Sequence, residues 1–106
     1  MANVLINAPK MVKRGQAFAV KTLILHPMET GFRAGTMGRL IPRNIIEDFT
    51  ATFNGVEIFR MKLTPAIAAN PFVTFQAAVG ESGTLALRWS GDEGFLAEQS
   101  ISIAVE

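Results

Sequence analysis

Around Asn54-Gly55 the chain has little freedom to be anything but a β-hairpin. On the approach, Phe49, Ala51 and Phe53 alternate with Asp48, Thr50 and Thr52. A period of two sends the first set to one face of a strand and the second set to the other. Asn-Gly then supplies the two positive-φ positions that a type I′ turn requires. Val56, Ile58 and Arg60 return antiparallel, with Phe59, Met61 and Leu63 on the opposite face. The apolar face of the first strand, Phe49, Ala51 and Phe53, is expected in the core.

The same period recurs along the chain. Val4 and Ile6 begin it, Pro9 stops it, and Phe18, Val20, Thr22 and Ile24 resume it after Gly15. Residues 72–79 are rich in β-formers. Leu85, Leu87 and Trp89 alternate with Thr84, Ala86 and Arg88, which sends Trp89 inward. Ser90-Gly91-Asp92-Glu93-Gly94 reads as a turn, and Ile101, Ile103 and Val105 alternate with Ser100, Ser102 and Ala104 in a last strand. Residues 65–70, with Pro65 near their start, could make a single helical turn. The reading is an all-β protein, an immunoglobulin-like antiparallel β-sandwich of about seven strands, occupying residues 1–106 as one domain. The Cys, Trp, Cys framework of antibody domains is missing. A hydrophobic content of 49% against 18% charged residues supplies one core and excludes a disordered chain.

Composition also removes several functions. Ten basic residues nearly cancel nine acidic ones, and a net charge of +1 cannot drive the phosphate neutralisation behind nucleic-acid affinity. The run Val4-Leu5-Ile6 is too short for a signal-peptide core or a membrane span, so the residues alone predict a cytoplasmic chain. With no cysteine, there is no disulfide, thiolate ligand or thiol to carry a covalent cargo.

The segment 26–44 breaks the pattern. Pro27, Pro42, Gly31, Gly35 and Gly38 interrupt any period, and the segment is longer than structureless loops in compact domains usually are. Its apolar members are Met28, Phe32, Met37, Leu40 and Ile41. Its charges are Arg33, Arg39 and Arg43 against Glu29 alone, a balance that predicts an electropositive loop. Met, Phe and Arg are enriched in protein interfaces.

No catalytic or metal-binding pattern emerges. His26 is the only histidine, which excludes zinc sites built on several histidines and leaves a lone candidate base for a serine triad. It reads more simply as a loop histidine hydrogen-bonding backbone beside Pro27. The serines lack a nucleophile-elbow pattern. Glu47-Asp48 and Asp92-Glu93 are adjacent pairs suited to solvent rather than to acid-base work, and Glu29, Asp92 and Glu93 lack calcium-loop spacing. Gly35 and Gly38 mark turns and no phosphate cradle. Lys10, Lys13 and Arg14 form a small solvated basic cluster.

A series of segments nevertheless resembles the SoxZ family, the smaller subunit of a bacterial sulfur-carrier complex in thiosulfate oxidation. They are His26-Pro27-Met28-Glu29-Thr30-Gly31, Ile41-Pro42-Arg43 with Ile45-Ile46, Phe53-Asn54-Gly55 with Phe59, Ala66-Ile67-Ala68-Ala69-Asn70-Pro71, Ser82-Gly83 and Trp89. The stretch Arg33-Ala34-Gly35-Thr36-Met37 departs from the family, whose members tend to be more charged there. The resemblance implies an immunoglobulin-like sandwich that forms a heterodimer with a SoxY-like subunit, whose flexible arm ends in a glycine-flanked, sulfur-carrying cysteine. It implies transient contacts with other Sox proteins, no catalytic residue, no metal and no cofactor. It also implies a periplasmic location, reached by co-export with a signal-bearing SoxY partner.

The missing thiol fits such a scaffold, because a second exposed thiol could divert the cargo by thiol-disulfide exchange. Candidate partner-interface residues are His26, Pro27, Met28, Glu29, Phe32, Arg33, Arg39, Ile41 and Arg43. Partner-facing surface could drive homo-oligomers when the chain is isolated. Two other functions compete with it: an immunoglobulin-like ligand-binding or adhesion module, and an enzyme using His26 with Glu29.

Overall fold

The computed structural model describes residues 3–67 and 69–106, with Thr36 described by its backbone only. Among the described residues, eight strands form two sheets. Strands β1 (Val4–Asn7), β3 (Phe18–Ile24) and β6 (Phe72–Ala77) make a three-stranded sheet in the order β1-β3-β6. Strands β2 (Met11–Val12), β4 (Ile46–Phe53), β5 (Val56–Lys62), β7 (Gly83–Gly91) and β8 (Leu96–Val105) make a five-stranded sheet in the order β2-β8-β7-β4-β5. This is the expected all-β sandwich, with one refinement to its pairing. Pro9, which has no N–H to give a ladder, ends the pairing of the first strand, and the chain crosses to the other sheet. There β2 lies parallel to the end of β8, with Met11 beside Ala104 and Val12 beside Val105.

The hairpin forms as its sequence dictates. Asn54 (φ 51) and Gly55 (φ 83) take the two positive-φ positions of the turn between β4 and β5. Phe49, Ala51 and Phe53 are buried. A bulge between Ala51 and Thr52 pairs those residues with Phe59 and Glu57, leaving Ile58 as the extra residue.

Apolar faces from both sheets meet between the layers, and burying such a side chain is worth about 1.5–3 kcal/mol. Phe49 anchors the core, its ring centroid 5.1 Å from Trp89, 5.9 Å from Phe75 and 6.1 Å from Phe59. Phe75 comes from the three-stranded sheet and Trp89 from the five-stranded one, so this cluster joins the layers. Phe59 and Phe75 stack at 4.7 Å across the β5–β6 side. Thr22 is buried with its hydroxyl donating to the Val73 carbonyl at 3.1 Å, which settles the one polar side chain in β3's inward row.

The helical turn expected over 65–70 falls partly on Ala68, outside the described residues. Before it, the Ile67 N–H donates to the Thr64 carbonyl at 3.0 Å, closing a β-turn with Pro65 at its second position. The molecule is elongated, 60 × 20 × 19 Å, and its radius of gyration of 16.1 Å exceeds the roughly 13 Å typical of a compact domain near this length.

Candidate functional site

The segment without a period is not a structureless loop. Its two limbs pair as an irregular hairpin, beginning with reciprocal 2.8 Å backbone hydrogen bonds between Glu29 and Asn44. Further out, the Ile41 N–H donates to the Arg33 carbonyl at 2.9 Å and the Gly35 N–H to the Arg39 carbonyl at 2.6 Å. Thr36–Gly38 forms a short 3₁₀ turn at the tip. The bridges Glu29 to Asn44 and Ala34 to Leu40 differ in register, which explains why no alternation is visible in the residues.

His26 locks the base. Its N–H donates to Asn70 Oδ1 at 2.9 Å, and its carbonyl accepts the Asn70 N–H at 2.7 Å. Its Nδ1 accepts the Met28 N–H at 2.9 Å, and its ring meets the Phe95 ring edge-on at 4.8 Å. The side chain therefore bonds backbone beside Pro27, as its sequence position suggested. Burial pushes its pKa below 6.5, more strongly than the Asn44 side chain and the Asp92 charge raise it. A neutral imidazole accepting at Nδ1 carries its proton on Nε2. Met28 is buried as well, at φ 51, and its sulfur accepts the Ile46 N–H at 3.3 Å.

The arginines are more neutralised than their sequence neighbourhood predicts. Arg33 takes Glu29 at 2.6 Å. Arg43 forms a two-pronged pair with Asp92, Nε to Oδ2 and Nη2 to Oδ1 each at 2.8 Å, and reaches Glu47 at 2.8 Å. Asp92 also accepts the Ile45 N–H at 3.1 Å. The Arg33 and Arg43 guanidinium groups hold the Glu29 and Asp92 carboxyls below their usual range, and both arginines are held above theirs in return. Of the loop arginines, only Arg39 makes no ion pair among the described residues. The expected electropositive character is thereby reduced: Glu47 on β4 and Asp92 in the turn after β7 cancel charge that the segment itself does not.

The outer hairpin is apolar and bare. Phe32 is 81% exposed, Met37 92% and Leu40 63%. Of the candidate interface residues, Pro27, Phe32, Arg33, Arg39 and Arg43 are exposed, Glu29 and Ile41 are half-buried, and His26 and Met28 are buried. The structure brings all of them onto one hairpin, but in two tiers: His26, Met28, Glu29 and Arg43 build the base, and Phe32, Arg39 and Ile41 belong to the projecting part. Met37 and Leu40 join that part, while Asn70 in the loop before β6, Asp92 in the turn between β7 and β8 and Glu47 near the start of β4 hold its base. Nothing in local sequence could have paired Asn70 or Asp92 with it, whereas Glu47 lies four residues from Arg43. Among the described residues, no three His, Cys, Asp or Glu converge to hold a metal ion.

The family model of the sulphur oxidation protein SoxZ matches residues 6–102. No curated protein matches the sequence. Among solved structures, a superoxide reductase (neelaredoxin) from Ignicoccus hospitalis is similar, with a TM-score of 0.76 and 27% identity, covering 97% of this chain and 80% of that one. The sulfur carrier protein SoxY from Chlorobium limicola f thiosulfatophilum shares the fold, with a TM-score of 0.67 and 13% identity over 97% of this chain and 78% of that one.

Proposed function

Because the chain belongs to the SoxZ family, we propose that it is the non-catalytic partner of a SoxY-like sulfur-carrier subunit. It binds that subunit as a heterodimer and helps present its cysteine-bearing arm to other Sox proteins during thiosulfate oxidation. The observation that carries this reading is the apolar tip of Phe32, Met37 and Leu40 on a hydrogen-bonded base. Exposed apolar side chains concentrated on one projection favour a protein partner over bulk water. The cysteine-free sequence supports the division of labour, since this chain cannot hold sulfur through a thiol.

The likeness to superoxide reductase invites a second reading as a redox enzyme. That reading lacks a centre: the chain has no cysteine and one histidine, and the Nδ1 of that histidine is engaged by the Met28 N–H. The shared frame is the better account of the likeness.

Co-expression with the SoxY-like subunit tests the proposal. An equimolar complex should survive purification, and the chain alone should neither acquire a stable sulfur adduct from thiosulfate nor turn it over. A chain without affinity for that subunit at micromolar concentration contradicts the reading. The reading extends to location, the pair being exported to the periplasm on the partner's signal, and cell fractionation with and without the partner checks this separately.

A further inference from the structure

Three residues at the base of the hairpin hold left-handed backbone without being glycine: Met28 at φ 51, Asn70 at φ 54 and Glu93 at φ 57. Asparagine tolerates that region, but Met28 and Glu93 are strained in it, and such strain persists only where the surroundings impose it. All three gather about His26. Its Nδ1 accepts the Met28 N–H at 2.9 Å, and its backbone exchanges two hydrogen bonds with Asn70. Glu93 Oε2 lies 3.4 Å from the side-chain nitrogen of Asn44, whose amide stands beside the ring.

The bond to Met28 ends on a titratable atom. Nδ1 accepts that N–H only while the ring is neutral, because an imidazolium carries a proton on each nitrogen. Protonation would set two donors against each other beside a buried side chain, and a buried donor without an acceptor is costly. Asn44 Oδ1, buried and without a hydrogen-bond partner among the described residues, is an acceptor within the same base for a ring that turns away from Met28. Charge surrounds the site from several elements. Asp92, in the turn after β7, acts on the ring and favours its charged form. Arg43 on the return limb clasps Asp92 and reaches Glu47 on β4, Glu93 stands behind Asn44, and Glu29 on the outgoing limb is paired with Arg33. From the loop before β6 comes Asn70, which is uncharged. Their arginines hold Glu29 and Asp92 below the usual carboxylate range, so both keep their charge where the ring titrates.

We propose that His26 is a pH-sensitive latch for the hairpin: protonating its ring releases the Met28 N–H, lets the paired limbs loosen and so weakens the grip of the apolar tip on its partner. The last step rests on the docking function proposed above, whereas the latch itself does not. The closed base holds the ring neutral, burial keeping its pKa below 6.5 against the opposite pull of Asn44 and Asp92. The closed form is therefore fully favoured above 6.5 and loses ground as the pH falls from 6.5 towards the closed-state value. Strain works in the same direction, since a released Met28 can leave the left-handed region.

Hydrogen exchange on the isolated chain tests the latch without the partner. The Glu29 and Asn44 amides, which bond across the limbs next to Met28, should exchange about tenfold faster relative to the Phe49 amide at about pH 5.5 than at about pH 7.5, after correction for the intrinsic effect of pH. The midpoint of that change should coincide with the titration of the His26 ring. His26→Asn offers a side-chain oxygen to the N–H two residues on and does not titrate, so in this variant the relative exchange should stay constant. Should His26→Asn fail to fold, the coincidence of the two midpoints in the native chain still decides. Titration with the SoxY-like subunit then reads the consequence: affinity should fall about tenfold over the same interval for the native chain, and measurably less for His26→Asn. Relative exchange that ignores the His26 titration, or the same pH dependence in His26→Asn, overturns the latch, and equal loss of affinity in both chains overturns its effect on docking. A native chain that fails to bind at about pH 7.5 contradicts the docking function instead, with the latch still judged by exchange.

Discussion

Arg43 and Asp92, separated by 49 residues in sequence, clasp each other through two parallel hydrogen bonds of 2.8 Å and so join the base of the hairpin to the turn before β8. The same carboxylate caps the Ile45 N–H. Asp92→Ala leaves the guanidinium with Glu47 alone and that N–H without its acceptor. The expected outcome is a lower melting temperature and faster amide exchange at Ile45 and Glu29, with exchange at the Phe49 amide little changed. Equal acceleration throughout the chain would show that the clasp is not local.

His26 makes stability depend on pH with a definite sign. Its folded pKa lies below the unfolded value of 6.5, so the unfolded chain binds more protons in the window between the two. The contribution of the neutral ring is fully present above 6.5 and is lost as the pH falls through 6.5 towards the folded value. Urea midpoints for the native chain should therefore fall over that window more than those of a folded His26→Gln variant. An NMR titration should place the His26 pKa below 6.5.

Phe49 is fully buried where the two sheets meet. Phe49→Ala removes a ring packed on Phe59, Phe75 and Trp89 and should cost about 3–5 kcal/mol in chemical denaturation. A loss below about 1 kcal/mol would mean that this cluster does not hold the layers together.

Gly83 passes against the Asn54 side chain, and a Cβ there would overlap its amide. That amide accepts the Thr84 N–H at 2.9 Å and so ties the hairpin turn to β7. Gly83→Ala should break the bond, cost about 1 kcal/mol and raise the exchange rate of the Thr84 amide.

Much of the frame was legible because burial on one face imposes a period of two. Phe49, Ala51 and Phe53, the Asn54-Gly55 turn and the inward Trp89 all lie where that period puts them. Legibility failed where the inner face is not covered. Strand β8 begins at Leu96, but Glu98, Gln99 and Ser100 are exposed at an open edge, so the period shows only from Ile101 onward. The hairpin over 26–44 is hidden for a related reason: beyond Met28 its limbs bury no alternating row, and its register shifts between Glu29 and Ala34. Asp92, the two-pronged partner of Arg43, lies in the turn after β7, and no local pattern predicts a contact closed by the topology of a sandwich.

The central claim is that the bare hairpin tip docks the sulfur-carrier subunit. Calorimetric titration of that subunit into the native chain and into a Phe32→Asp, Leu40→Asp variant tests it most directly. Both side chains are largely solvent-exposed, so the variant should fold as the native chain does. The account predicts micromolar or tighter binding for the native chain and its loss in the variant; equal affinity for both would contradict it.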